Sequence, residues 1–314
     1  MRNRVSIAIH GGAGVYPRDY FTPRLKARYE DALQRCLDRG WQVLSRGGSS
    51  LEAVERAVRA LEDTPLFNAG RGSVLNELGK VECEAGIMNG DGAAGAVAGL
   101  STVKNPIGLA RRVLDDPDVV FVAGPGAERY ADRFPKVKRV EADYFLTKTR
   151  QRQLAQAKAE KRVVLDNTKF GTVGAVARDR SGVLAAATST GGLTNKVAGR
   201  VGDTPIIGAG TFAADGVCAV SCTGVGEVFI REAASHEVAA RMRHGGRGLK
   251  AAVHEVVHDV LAPAGGVGGM IAVDHRGVLC LDFNSSSMYR AWRTSGRKPI
   301  ARIFRRESPS PIRS

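Results

Sequence analysis

The chain has 314 residues, 43% of them hydrophobic, with 38 glycines and few aromatics. It is long enough for one large domain or two small ones with ample core, and no apolar run approaches the ~20 residues of a membrane helix. The net charge of +14 raises nucleic acid as a partner, but the excess is spread along the chain except at the C-terminus, and no nucleic-acid module accompanies it.

Residues 5–9 (VSIAI) read as a buried strand running into a turn, HGGAG, at residues 10–14. The apolar stretch is too short for a signal peptide, and the five cysteines are odd in number and form no C-x-x-C pair, so no disulfide framework is indicated and a cytoplasmic protein is expected. Helical periodicity covers 24–46. Ser49 and Ser50 cap a second helix through Leu61, which Thr64-Pro65 ends. FNAGRGSVLN follows as a glycine-punctuated loop, then two strands, VECEAGIMNG and GAAGAVAGL, a helix near 106–115 and a strand VVFVAG. Residues 135–171, rich in Lys, Arg, Gln and Glu, read as a helix followed by an exposed linker, a place for chain cleavage.

Gly171-Thr172 opens the next strand pair, TVGAVARD and VLAAATST, joined at Arg180-Ser181-Gly182 and ending in Thr188-Ser189-Thr190-Gly191-Gly192. Thr172 has two readings. Threonine favours strands, so it can simply start one. If the Gly171–Thr172 bond is cut, it instead carries a hydroxyl beside a free α-amine, whose ordinary pKa of about 7.7–8.0 makes it a built-in base. NKVAGRVGDTPIIGAG then sets Arg200 and Asp203 around Gly202. A guanidinium grips a carboxylate and an aspartate holds an ammonium, so the pair fits either the two α-groups of an amino acid or a loop salt bridge. IIGAG and VCAVSCTG read as strands, 226–243 and 247–260 as helices, and GGMIAVDH with GVLCLDF as a closing strand pair turning at Arg276-Gly277. Strands cluster and helices come in runs, which favours two packed sheets with helices outside.

Rival motifs are present. HEVVH at 254–258 matches H-E-x-x-H, with His254 and His258 one helical turn apart and Glu255 as a possible base for zinc-bound water. The third ligand is missing from the pattern; Asp259, Asp274 and Asp282 are substitutes. HGGAG and Ala187-Thr188-Ser189-Thr190-Gly191 resemble an oxyanion loop and a nucleophile elbow, though alanine replaces the first glycine. Gly208-Ala209-Gly210 lacks the βαβ context of a dinucleotide site. From Arg290 to Ser314 eight Lys/Arg face only Glu307, a tail able to meet phosphate.

GTVGAVA, TSTGG-TNK, GRVGDTPIIGAG and CTGVGEVFIR, preceded by IHGGAG and PLFNAGRG, resemble in order the plant-type asparaginase/isoaspartyl peptidase family of N-terminal nucleophile hydrolases, from about Val5 to Trp292. The resemblance implies an α/β (α+β) fold, a four-layer αββα sandwich. It implies self-cleavage between Gly171 and Thr172 into an α-chain, 1–171, and a β-chain, 172–314, forming one composite domain with 293–314 as a basic tail. The substrates implied are L-asparagine and β-aspartyl dipeptides. Thr172 matches the nucleophile and Thr190 the threonine that tunes it. Thr223 and Gly224 match the oxyanion pair. Arg200 and Asp203 match the binders of the α-carboxylate and α-ammonium, with Gly226 lining that site and Asn68 close to the nucleophile. The backbone carbonyls of Leu61, Glu62, Thr64, Phe67, Ala69 and Arg71 match a loop that holds a structural sodium ion, with no cofactor required for catalysis. A dimer of αβ units, a heterotetramer, is implied, with neither membrane nor nucleic acid as partner. Glycosylasparaginases share R-V-G-D but carry aspartate before the threonine, and this chain has glycine. Ser287 stands where the family usually has glycine. The readings from other classes are an HExxH zinc metalloprotease and a non-catalytic binder using the basic tail.

Overall fold

Two sheets lie face to face in this computed structural model, which describes residues 4–14, 18–160 and 171–305. In chain order the elements are β1 (Ser6–Gly14), α1 (Pro23–Ser45), α2 (Ser50–Glu62), β2 (Cys83–Asn89), β3 (Ala94–Leu100), α3 (Pro106–Leu114), β4 (Phe121–Ala123), α4 (Gly124–Ala131) and α5 (Lys148–Ala159). After residue 171 come β5 (Thr172–Arg178), β6 (Leu184–Thr190), β7 (Thr211–Ala214), β8 (Cys218–Gly224), α6 (Gly226–Arg231), α7 (Ala234–Arg243), α8 (Leu249–Glu255), a π-helical turn Val256–Leu261, β9 (Gly268–Asp274), β10 (Leu279–Phe283), β11 (Ser287–Thr294) and β12 (Ile300–Arg302).

The larger sheet has the order β12-β11-β1-β5-β6-β2-β3-β4, and the smaller β10-β9-β8-β7. Helices α1, α2 and α3 cover the outside of the first, α7 and α8 the outside of the second, and β5, β6 and β1 meet β8, β7 and β9 across the middle. This is the expected αββα sandwich. Alanine, glycine and β-branched residues dominate the facing strands, so the sheets approach with little side-chain bulk between them. One apolar core lies under α1–α3 and a second joins the sheets to α7 and α8. The second helix is capped at Ser49 as the sequence indicates, its Oγ accepting from the Glu52 N–H at 3.2 Å, and the first is capped by Thr22, whose Oγ1 accepts from the Leu25 N–H at 3.2 Å, each worth about 1 kcal/mol.

Several boundaries differ from expectation. HGGAG is not a turn: β1 runs on through Gly14, with a register shift between His10 and Ala13 against β11. IIGAG is not a strand; Ile207 makes only an isolated bridge, and β7 starts at Thr211. The helix expected over 226–243 breaks at Ala233, which takes a left-handed φ of 46°, a conformation costing an L-residue roughly 1–2 kcal/mol. The helix expected over 247–260 becomes α8 and then the π-turn. Over residues 135–147 there is no α-helix, only a 3-10 turn at Ala142–Tyr144; Val103 and Arg139 bridge, and Phe145 is fully buried. Lys148–Ala159 is the α-helix of this segment, and of the linker, residues 161–170 lie outside the described ones.

The C-terminal arm to residue 305 is tied down. β12 pairs with β11. The buried Arg290 donates to the carbonyls of Met288 (2.8 Å), Ile303 (3.1 Å) and Phe304 (3.1 Å). Residues 306–314 of the expected basic tail lie outside the described residues.

Candidate active site

Strand register builds the site. β5 and β6 are antiparallel neighbours paired so that Thr172 faces Thr190, and β2 on the far side of β6 sets Glu84 opposite Thr190. Thr172 is therefore the first residue of a central strand and is 8% exposed. Its Oγ1 donates to Thr190 Oγ1 at 3.2 Å, and the Gly192 N–H donates to the same oxygen at 3.0 Å. With two donors on it, Thr190 Oγ1 draws on the Thr172 O–H bond and keeps its own proton to donate elsewhere.

Gly171 joins Thr172 and packs against Asn68. A Cβ at Gly171 would fall 2.6 Å from Asn68 Cβ, a separation no side chain tolerates, so this position has no room for anything beyond glycine. Asn68 is itself fixed: its Nδ2 donates to the Gly192 carbonyl at 2.7 Å and its Oδ1 accepts from the Val74 N–H at 2.9 Å. A cleft of about 320 Å³, lined by Gly11, Phe67, Asn68, Arg150, Gly171 and Tyr289 among others, opens at this bond.

Thr223 comes from the opposite sheet, near the end of β8. It is fully buried, and its Oγ1 accepts from the Ala13 N–H at 3.3 Å, which leaves its own O–H available as a donor. Gly224 follows it and pairs with Gly268.

Arg200 and Asp203 do not pair with each other as a loop salt bridge. Arg200 is held by Glu227, with Nε and Nη2 at 2.9 and 2.8 Å from its Oε1. Asp203 is buried, and its Oδ2 has no hydrogen-bond partner. Burial pushes its carboxyl up to about 7; its own backbone N–H and Arg200 oppose the shift, while Glu84 and Glu227 add to it. Gly226 closes this corner: a Cβ there would lie 2.9 Å from Arg200 Nη2 and 3.0 Å from Asp203 Oδ1. The corner thus presents a cation and an unsatisfied carboxylate oxygen side by side, the chemical complement of a zwitterion.

Residues that the sequence did not single out support these. Lys196, 1% exposed, bonds Glu84 Oε1 at 3.1 Å and the Glu82 carbonyl at 3.0 Å, while Glu84 Oε2 accepts from the Gly202 N–H at 2.9 Å. That buried pair anchors the Arg200–Asp203 loop to β2. The lysine of the T-N-K segment was its one visible signal. His10 Nδ1 lies 2.9 Å from the Thr172 carbonyl and Nε2 2.9 Å from Ser221 Oγ. Burial pushes its pKa down to about 3, against the pull of the Thr172 carbonyl. The ring is neutral at pH 7, so Nδ1 carries the proton for the carbonyl and Nε2 accepts from Ser221. Ser221 and Thr188 Oγ1 are 2.8 Å apart, and Thr211 donates to Thr188 at 2.7 Å, a chain of hydroxyls running between the sheets beneath the nucleophile's strand. Glu62 accepts from Ser189 Oγ at 2.7 Å and the Ile107 N–H at 2.9 Å, and burial pushes it up to about 7 against those bonds.

The loop after α2 is tightly folded. A Cβ at Gly70, where φ is +50°, would lie 2.6 Å from the Glu62 carbonyl oxygen, and one at Gly72 would lie 2.0 Å from that of Phe67. The carbonyls of Leu61, Thr64 and Ala69 accept from the N–H groups of Thr64, Phe67 and Gly72, each oxygen retaining a second lone pair. These neutral oxygen donors fit a hard cation. The Arg71 guanidinium lies 5.5 Å over the Tyr144 ring.

The H-E-x-x-H motif does not form a protease centre. Glu255, its would-be base, pairs with Arg241 at 2.8 Å and Arg247 at 3.0 Å, while His254 and His258 converge on Asp282. Ala187–Gly191, the near-elbow, lies within β6 and the turn after it rather than on a strand-to-helix turn. Gly208-Ala209-Gly210 lies in the turns before β7. No helix among the described residues is long and apolar enough to cross a membrane.

Comparison with known proteins gives the family. The asparaginase family pattern matches residues 3–301. The chain is 47% identical over 313 residues to a Salmonella typhimurium protein named isoaspartyl peptidase, covering 96% of this chain and 99% of that one. It is 46% identical to an isoaspartyl peptidase of Escherichia coli, covering 95% and 96%. It is 37% identical to the human isoaspartyl peptidase/L-asparaginase, covering 91% and 92%. The chain belongs to the asparaginase family.

Proposed function

We propose that this protein is an amidohydrolase of isoaspartyl peptides and L-asparagine that activates itself by cleaving the Gly171–Thr172 bond. The observation that carries the reading is Thr172 itself: a buried threonine at the head of a central strand, hydrogen-bonded to Thr190 and following a glycine with no room for a side chain. In the precursor the Thr172 hydroxyl attacks the Gly171 carbonyl; the Gly171–Thr172 C–N bond breaks as the ester forms, which frees the α-amine, and water then cleaves the ester to give the Gly171 carboxylate and the Thr172 hydroxyl. The products are an α-chain, 1–171, and a β-chain, 172–314.

In the mature enzyme the Thr172 amine takes the proton as Oγ1 attacks the side-chain amide carbon of the substrate. Thr223 and the Gly224 N–H donate to the oxyanion, a contribution of several kcal/mol. The tetrahedral intermediate collapses, the amine returns its proton, and ammonia or an α-amino acid leaves. Water, activated by the same amine, releases L-aspartate. Arg200 binds the α-carboxylate and Asp203 the α-ammonium, which fixes the amide over Oγ1. No metal enters these steps.

The loop Leu61–Arg71 holds a structural sodium ion through the carbonyls of Leu61, Glu62, Thr64, Phe67, Ala69 and Arg71, and so braces Asn68. Exchanging sodium for choline lowers the melting temperature; an unchanged value removes the ion from the account. The working unit is a dimer of αβ units. The five free cysteines, four of them buried, suit a cytoplasmic setting. The functional test is release of aspartate from a β-aspartyl dipeptide and from L-asparagine. Release by the wild type supports the reading, and release by neither substrate overturns it.

A further inference from the structure

The helix-borne histidines that do not serve as a protease centre meet a third ligand across the fold. His254 lies in α8, His258 in the π-turn that continues it, and Asp282 on β10, which α8 packs against. Asp282 Oδ2 lies 3.0 Å from His254 Nδ1 and 3.3 Å from His258 Nε2, and one ligand atom from each of the three residues lies within 4.8 Å of the others. Metal–ligand bonds of about 2.0–2.1 Å to histidine and carboxylate put neighbouring ligand atoms about 3.3 Å apart at the corners of a tetrahedron. The two spacings to Asp282 Oδ2, 3.0 and 3.3 Å, are close to that edge, and the two histidine nitrogens lie within 4.8 Å of each other.

Two further observations point to a ligand. His258 Nε2 is sealed from solvent, and although it faces Asp282 Oδ2 it makes no hydrogen bond. The other carboxylate oxygen, Oδ1, is fixed from behind by the Arg305 guanidinium and the Phe283 N–H, both at 2.8 Å. Such outer contacts orient a ligating carboxylate and leave its second oxygen aimed at the metal. Interruption of an α-helix by a π-turn recurs at functional positions, and here it carries the inner histidine.

We propose that His254, His258 and Asp282 form a binding site for a divalent transition metal of the zinc class, on the outer face of the second sheet and apart from the hydrolytic centre. Two imidazoles and a carboxylate select zinc, nickel or cobalt over magnesium or calcium. Water fills the remaining position. Glu255 is held by Arg241 and Arg247, so no base stands ready to activate that water. The metal clips α8 to β10, and through Asp282 to the arm bearing Arg305; its effect is on stability.

The test is calorimetric titration of tag-free, chelator-stripped protein with zinc chloride, alongside melting curves with zinc and with magnesium. The expected result is one zinc per chain, a melting temperature that rises with zinc but not magnesium, and binding at least ~10-fold weaker in both His254→Ala and Asp282→Asn. His254 is largely exposed, so its variant folds, and aspartate release stays at the wild-type rate in both. Absence of saturable zinc binding by the wild type, or binding that both variants retain undiminished, overturns the proposal.

Discussion

Thr172, Thr190 and Thr223 and the trio His254, His258 and Asp282 are both sets of three side chains, placed in opposite settings. The threonines are 8%, 3% and 0% exposed and stand on strands whose register is set by two sheets. The histidines stand on a surface helix, and the His254 side chain is 62% exposed. In the proposed mechanism the first set works in a low-dielectric seam where a donor aimed at a developing charge acts at full strength. The second is partly solvated, suited to holding an ion and poorly suited to stabilising a transition state. A recognisable spacing therefore says less about catalysis than the depth at which the fold buries it.

The sharpest way to break this contrast is at Thr172. Thr172→Ala lowers aspartate release by more than about 10⁴-fold, as expected for loss of a nucleophile, measured by coupled assay on equal amounts of folded protein. Next comes the zwitterion corner. Arg200→Ala leaves a substrate carboxylate without its charged donor, a loss of about 1.5–3 kcal/mol. That is a ~10- to 150-fold fall in kcat/KM, carried mainly by KM.

Asp203 adds a pH signature. The folded group keeps its proton up to about pH 7, whereas an unfolded aspartate loses it near ~3.9. Between those values the native state binds more protons than the unfolded one, so this group's contribution to stability falls as pH rises through the window. Substrate ammonium needs the carboxylate, so KM falls as pH rises through about 7. Asp203→Asn abolishes that dependence, and a KM profile that keeps it assigns the titration elsewhere. Gly171→Ala drives a Cβ into Asn68 and slows maturation, followed as loss of full-length chain on a gel. Once cut, that variant hydrolyses substrate at the wild-type rate, because residue 171 no longer adjoins the nucleophile.

The smallest effect belongs to the surface helix. Glu255→Gln loses two ion pairs with Arg241 and Arg247, each worth about 0–1 kcal/mol where partly exposed, and leaves turnover within about twofold. A collapse of activity in this variant would place chemistry on the helix and erase the contrast.

Much of this was legible in the chain. The β5–β6 pair and its threonine turn stood out because two short, apolar segments meet at glycine-containing ends. The helix cap at Ser49 follows from residue type. HGGAG misled because two glycines read as a turn, whereas in the fold they extend β1 past a register shift. The break at Ala233 carries no sequence signal, since alanine rarely adopts a left-handed φ. The partners of the site were hidden by sequence distance. Glu227 sits 27 residues from Arg200, and Glu84 112 from Lys196; only the folded sheets bring them together. His10 was visible solely as part of a glycine loop, and its place under the Thr172 carbonyl comes from β1 pairing with β5.

Intact mass spectrometry of the freshly purified and then incubated protein, beside its Thr172→Ala variant, tests the central claim most directly. The account predicts two fragments that split between Gly171 and Thr172 in the wild type and a single full-length mass in the variant. A wild-type chain that stays whole after prolonged incubation, or a variant that splits at the same bond, would contradict it.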